Sequence, residues 1–443
     1  MNCISACTIR ARNRRGPTGQ GGFRELLLLF LAAFVVSALI AFDAAAQGDS
    51  LDYEIVYSVK PDIATLTLQV TLELRQPRAL LRELSMAPDG RISGMQADGQ
   101  LQIEASALRW LPPAAGGTMR WQVKVDHRRN GDGFDAWLGP NWGLFRAEDI
   151  IPRAATRTIK GASSRTRVDF ELPAGWSVVT QYYGRSGRFL ISNPERRFDQ
   201  PSGWIVLGKI GVRRETIAGS RIAVAGPIGS SLRRMDTLAL LNWTLPELAR
   251  LLPELPSRLT IVSAGEPMWR GGLSAPQSLF VHAERPLISE NATSTLLHEV
   301  MHIALGIKAE PGFDWIIEGL AEYYSLQLLQ RSGTISQERF EIARTDQEKW
   351  ARTATILCQK SSSGASTALA VTVFAALDEE MRKHTNGRLS LDQLVSELWR
   401  QDKPIGIGAL ARLTEQLTGH NPDALHIDKL PGCRNIVEGK QPT

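Results

Sequence analysis

The chain is poor in cysteine, with four in 443 residues, and this excludes a small disulfide-dense scaffold. It has no internal repeat and no low-complexity segment, which excludes solenoids and long coiled coils. Charged residues make up 22% and apolar ones 43%, an ordinary balance that excludes a disordered chain. The formal charge is +5, but the first 46 residues hold Arg10, Arg12, Arg14, Arg15 and Arg24 against only Glu25 and Asp43. That leaves +2 for the rest, with no dense basic cluster interleaved with aromatics, so nucleic-acid binding has no support. Tyrosine is scarce too: none follows Tyr324.

Only one long apolar run exists, the 17 residues from Leu26 to Phe42. A basic leader precedes it, and Ala44 and Ala46 follow as small residues before a cut, the pattern of an export signal over 1–46. Seventeen residues is the short end of what spans a bilayer, so cleavage leads and an uncleaved anchor is the alternative. The expected location is periplasmic or secreted, with membrane contact only through an uncleaved signal. Cys3 and Cys7 leave with that segment, and Cys358 and Cys433 remain as a candidate disulfide of an oxidising compartment.

From 51 to 226 the chain alternates apolar and polar residues, as in "IATLTLQVTLEL", "TMRWQVKVDH", "RVDFEL" and "RIAVAG". Period two with Gly, Pro, Asn and Asp punctuation predicts an antiparallel β-domain, a sandwich, over 47–226. Beyond 226 the period becomes helical, with "RLTIVS" and "SLFVHA" as two short strands. Helices are expected near 293–306, 314–332, 335–350, 364–385, 390–401 and 406–419, giving an α+β chain whose second domain spans 227–443.

That second part holds "STLLHEVMHIALG", residues 294–306. His298 and His302 are four apart, so a helix turns both imidazoles to one side, within reach of one metal ion. Glu299 falls one position round, beside the metal and free to take a proton from water. The surrounding residues are apolar, so the helix is buried, and burying two histidines and a glutamate without partners is costly. A third ligand comes from "FDWIIEGLAEYYS", residues 313–325: Glu318 on the metal, and Glu322 one turn on, bonded to a ligating imidazole to fix its tautomer.

H-E-x-x-H followed by W-x-x-E-G-x-A-E-Y-Y resembles the gluzincin zinc metallopeptidases, in particular the glycyl and alanyl aminopeptidase branches. The resemblance implies a thermolysin-like catalytic domain behind a β-domain, Zn²⁺ as cofactor and a peptide or protein as substrate. It also implies that "RGGLSAPQSLF" is the substrate-binding strand, with Gly272 and Ser274 as contacts. Relatives carry a glutamate there that holds the free amino terminus, and Ser274 stands in its place. Relatives also carry a tyrosine that stabilises the oxyanion, and the best match places Ser361 there. His384 and His420 are the candidate replacements, with solvated helix and turn caps as the plainer role for each.

The expected activity is hydrolysis of peptide bonds by a zinc-held water activated by Glu299. The alternative is a weak or inactive zinc-binding pseudopeptidase serving as a cell-envelope binding protein. Trp137 and Trp142 are expected in packing rather than in a cleft, and Asn291 is expected to cap the metal helix. Cleavage specificity, endo- or exo-action and oligomeric state are not legible in the sequence.

Overall fold

The computed structural model describes residues 51–438 apart from 105–106, 130–132 and 193–197. The expected signal segment 1–46 lies outside the described residues. No described helix is long and apolar enough to cross a membrane.

The first half is β-rich, as its period-two pattern demands. One seven-stranded sheet is built round Asp52–Asp62 and Thr67–Arg75, and a four-stranded sheet holds Leu81–Met86. A five-stranded sheet holds Phe134–Leu138, Trp142–Arg146 and Trp204–Gly208. Within these sheets, among the described strands, pairing departs from the antiparallel expectation where Asp52–Asp62 runs parallel to Ser163–Phe170. Alternation in sequence reports which face is buried, not the direction of the neighbouring strand.

The second sheet system positions the site, and we number its strands β1 (Ile210–Ile217), β2 (Ser220–Pro227), β3 (Arg258–Val262), β4 (Gly272–Ala275) and β5 (Ser278–Val281). Their spatial order is β1-β2-β3-β5-β4, so β4 is an edge. "RIAVAG", read from sequence as part of the β-domain ending at 226, is β2, and it pairs in parallel with β3. The hairpin 210–227 therefore belongs to this sheet, which is larger than the two strands expected.

The longer described helices of this half are α1 (Arg234–Leu251), α2 (Thr295–Leu305), α3 (Trp315–Arg331), α4 (Gln337–Ala351), α5 (Ala365–His384), α6 (Leu391–Trp399) and α7 (Ile407–Thr418), and a short one spans Cys433–Val437. α1 enters between β2 and β3. Helices α2 to α7 fall within a few residues of their expected spans.

The sheet is covered on both faces. Ile222, Leu259, Ile261 and Leu279 point into the helical core with Leu296, Val300, Trp315 and Phe374. Ala225, Val262 and Phe280 point the other way, against Leu144, Val179, Trp204 and Val206 of the first half. Trp137 and Trp142 lie with ring centres 4.3 Å apart, tilted at 51°, against this second core, so they pack as expected. Trp204 is fully buried there, and its Nε1–H donates to the Leu273 carbonyl at 3.0 Å, which pins edge strand β4 from behind. Cys358 is bonded to Cys433 across 75 residues. A cross-link closing a loop of that length stabilises by roughly 4 kcal/mol through the unfolded state.

Candidate metal centre

α2 starts where Ser294 accepts the Leu297 N–H at 3.3 Å, so Ser294 is the cap and not Asn291. It stops at Gly306, whose φ of 60° ends the helix in the left-handed region. Between them Leu296, Leu297, Val300, Met301 and Ala304 are buried in the helical core. The opposite side leaves His298 and His302 facing α3, each about 15% exposed.

α3 brings the carboxylate. The helix packs tightly on α5 at Gly319, where a Cβ would lie 2.6 Å from the Ala370 Cβ and 2.9 Å from the Phe374 ring. The residue just before it, Glu318, reaches both imidazoles of α2. Its Oε2 is 3.2 Å from His298 Nε2 and its Oε1 is 3.4 Å from His302 Nε2, while the two Nε2 atoms are 3.0 Å apart. Two atoms each ~2.05 Å from a tetrahedral zinc ion lie ~3.3 Å apart, so these three separations match what zinc would span. The donor set of two imidazoles and one carboxylate fits the metal that the motif implies.

Behind the triad, Glu322 Oε2 sits 3.0 Å from His298 Nδ1, and Gln347 of α4 donates to Glu322 Oε1 at 3.3 Å. This chain of contacts fixes which His298 nitrogen faces the centre. Asp314, at the head of α3, accepts the Ser362 N–H at 2.7 Å. That bond joins the loop holding Ser361, itself exposed, to the start of the ligand helix. Sequence reasoning missed Gln347 and Asp314. Gln347 lies in "TDQEKW", where no pattern separates it from its polar neighbours.

Charges in the site are strongly coupled. Burial works against a charged His298, but the hydrogen bonds it donates to the Glu318 and Glu322 carboxylates outweigh it and raise its pKa to about 10. Burial likewise disfavours a charged Glu318, and the two imidazoles overcome it, lowering its pKa to about 2. Glu299 is 8% exposed, and burial pushes its carboxyl above the ordinary range, with His298, His302 and the Ser274 hydroxyl pulling it back.

Gly272 and Ser274 lie on β4 beside that carboxylate. A Cβ at Gly272 would meet the Thr295 Cγ2 at 2.6 Å and the Glu299 side chain at 2.9 Å, so only glycine lets the strand pass this close. β4 pairs with β5 alone, leaving its other edge unpaired among the described strands.

His384 and His420 are elsewhere. Ala370 touches Gly319, and His384 is fourteen residues further along α5, a rise of roughly 20 Å. There Glu380 accepts from His420 Nε2 at 3.0 Å and from the backbone N–H groups of Asp423 and Ala424, while His384 stacks on His420 at 3.7 Å. Neither histidine serves the oxyanion at the triad. Both remaining tyrosines of the helical half are buried, and Tyr324 donates to Asp392.

The chain matches no protein-family model and no curated protein in sequence. In structure it is similar to an aminopeptidase N family protein from Idiomarina loihiensis, at a TM-score of 0.62 and 17% identity over 88% of this chain and 76% of that one. It is also similar to yeast LTA4 hydrolase, at a TM-score of 0.51 and 12% identity over 84% of this chain and 66% of the other. The likeness implied by the metal motifs is met at the level of fold: this chain has the mixed α+β architecture of the aminopeptidase N and LTA4 hydrolase structures.

Proposed function

We propose that the chain is an exported zinc-dependent peptidase, in which residues 1–46 direct export and a β-sandwich part precedes the catalytic part. One observation carries the reading: His298, His302 and Glu318 converge within 4.8 Å of one another with a buried, otherwise unused carboxyl, Glu299, beside them. A structural zinc site has no use for such a group.

His298, His302 and Glu318 would hold the ion. When bound there, zinc supplies a Lewis acid that polarises a carbonyl and lowers the pKa of water. The unpaired edge of β4 offers backbone donors and acceptors to an extended peptide, laid across Gly272 and Ser274 beside Glu299. Glu299 takes the proton of the attacking water and passes it to the leaving amine nitrogen; its raised pKa suits a group that must both accept and release a proton. The Ser274 hydroxyl acts on the Glu299 carboxyl in the direction that favours its charged form. Glu322 and Gln347 orient His298.

A specific observation favours a second reading, a pseudopeptidase that binds without turnover: of the two tyrosines in the described helical part, Tyr324 donates to Asp392, and Tyr323 is buried with the charges of Asp378 and Asp392 beside it. Loss of an oxyanion donor costs ~10²–10³ in rate. Zinc content and peptide-library digestion, compared between the parent chain and Glu299→Gln, decide between them. Equal zinc with hydrolysis only in the parent supports the peptidase. Equal zinc with hydrolysis in neither supports the binding protein.

A further inference from the structure

A second cavity, of about 730 Å³, opens between strands β1–β3 and the segment 179–184 of the first half. Register dictates what lines it. Thr216 pairs with Arg221, and Arg221 pairs with Arg258, so all three project from one face of the sheet. Arg214, two residues before Thr216, projects from that face too. The opposite face carries Ile222 and Leu259 into the helical core.

Three guanidinium groups therefore share one concave surface. Arg221 and Arg258 lie 3.9 and 4.0 Å from the ring centre of Tyr183. Arg258 donates through Nη1 to the Gln181 carbonyl at 2.9 Å, while its Nε–H is buried with no partner. Among the described residues no carboxylate pairs with any of the three. Glu215 lines the same cavity, but its position turns it toward the other face and Asn242 donates to it at 3.0 Å. Burial, followed by the Arg221 charge, pulls the pKa of Arg258 below its ordinary value.

By itself this arrangement is unfavourable. Like charges directly opposite on neighbouring strands repel, and a buried unpaired donor costs desolvation. Contact with Tyr183 accounts for two of the guanidinium groups, but not for Arg214 or for the buried Arg258 Nε–H. An oxyanion resolves all of it at once, since arginine forks match phosphate oxygens bidentately. The volume lies in the range of small-molecule sites.

We propose that this cavity binds a soluble small molecule through a phosphate group, at a site separate from the metal triad and independent of its function. The probe is inorganic phosphate, titrated calorimetrically into the full chain against chloride and acetate at matched ionic strength. Saturable one-to-one binding of phosphate is expected. Arg221→Ala and Arg214→Ala, both at exposed positions, are each expected to weaken it about tenfold, the loss of one charge-assisted hydrogen-bond pair. Arg258→Lys keeps the charge, loses the fork and also weakens binding. Arg213→Ala, on the same strand but the other face, binds as the parent does and controls for diffuse attraction. Phosphate heats no different from those of chloride or acetate overturn the proposal. So does equal weakening by Arg213→Ala, or unchanged binding in the Arg214→Ala, Arg221→Ala double variant.

Discussion

Two clusters of the same residue types lie on the helices of this chain, and they do different things. His298, His302 and Glu318 come from α2 and α3; Glu380, His384 and His420 come from α5 and the turn after α7. Each has a pair spaced i, i+4 and a third residue from a neighbouring element. In the first, the imidazoles meet at 80° and two Nε2 atoms and a carboxylate aim at one point. In the second, the imidazoles are stacked at 9°, so their in-plane lone pairs run side by side and cannot share an ion. The Glu380 carboxylate is also already occupied by two backbone N–H groups and His420. Composition and spacing do not distinguish the two clusters; the directions of their lone pairs do.

This contrast can be broken most sharply by taking a ligand from each cluster. Glu318→Ala should lose zinc and all zinc-dependent peptide hydrolysis, while His384→Ala should keep one zinc per chain, as elemental analysis would read. Zinc lost in both variants would put the ion in the wrong cluster. Next in size is Glu299→Gln, expected to keep the metal and to lower hydrolysis by ~10²–10⁴ through loss of the proton carrier. Smaller is Glu322→Gln, where a neutral partner on His298 Nδ1 should weaken zinc affinity ~10–100-fold in a competition titration.

The metal-free chain sharpens the comparison through pH. His298 is raised from 6.5 to about 10, so its contribution is complete below pH 6.5 and fades as pH climbs toward 10. Glu318 is lowered from 4.5 to about 2, so its contribution is complete above pH 4.5 and fades as pH falls toward 2. With zinc chelated, these two groups should stabilise the fold most between pH 4.5 and 6.5, and Glu318→Ala should flatten the acid limb of the Tm profile. The least effect belongs to His420→Ala, whose lost bond to Glu380 should cost about 1 kcal/mol in denaturant melts and leave zinc untouched.

The helices were legible because caps, apolar spacing and breakers agree locally; α2 through α7 each sit close to the expected span. The nearness of His298, His302 and Glu318 was legible because the two histidines stand four apart on an otherwise mostly apolar helix and Glu318 opens the next one. The hairpin 210–227 was not: alternation in "RIAVAG" says that a strand has a buried face, and nothing local says that the partner is β3, over thirty residues on. Asn291 was misread for the same local reason, since it and Ser294 are both capping residues and only the helix start chooses between them. Gln347 and the arginine cavity depend on tertiary approach between distant segments, which leaves no spacing to read.

Gly319 has no side chain, and this lets α3 seat directly on Ala370 and Phe374 of α5. The helix that carries Glu318 is thereby held from a neighbour that contributes nothing to the triad. A methyl group at 319 would press on that seat and displace α3, with Glu318 on it, while leaving every atom of the triad chemically intact.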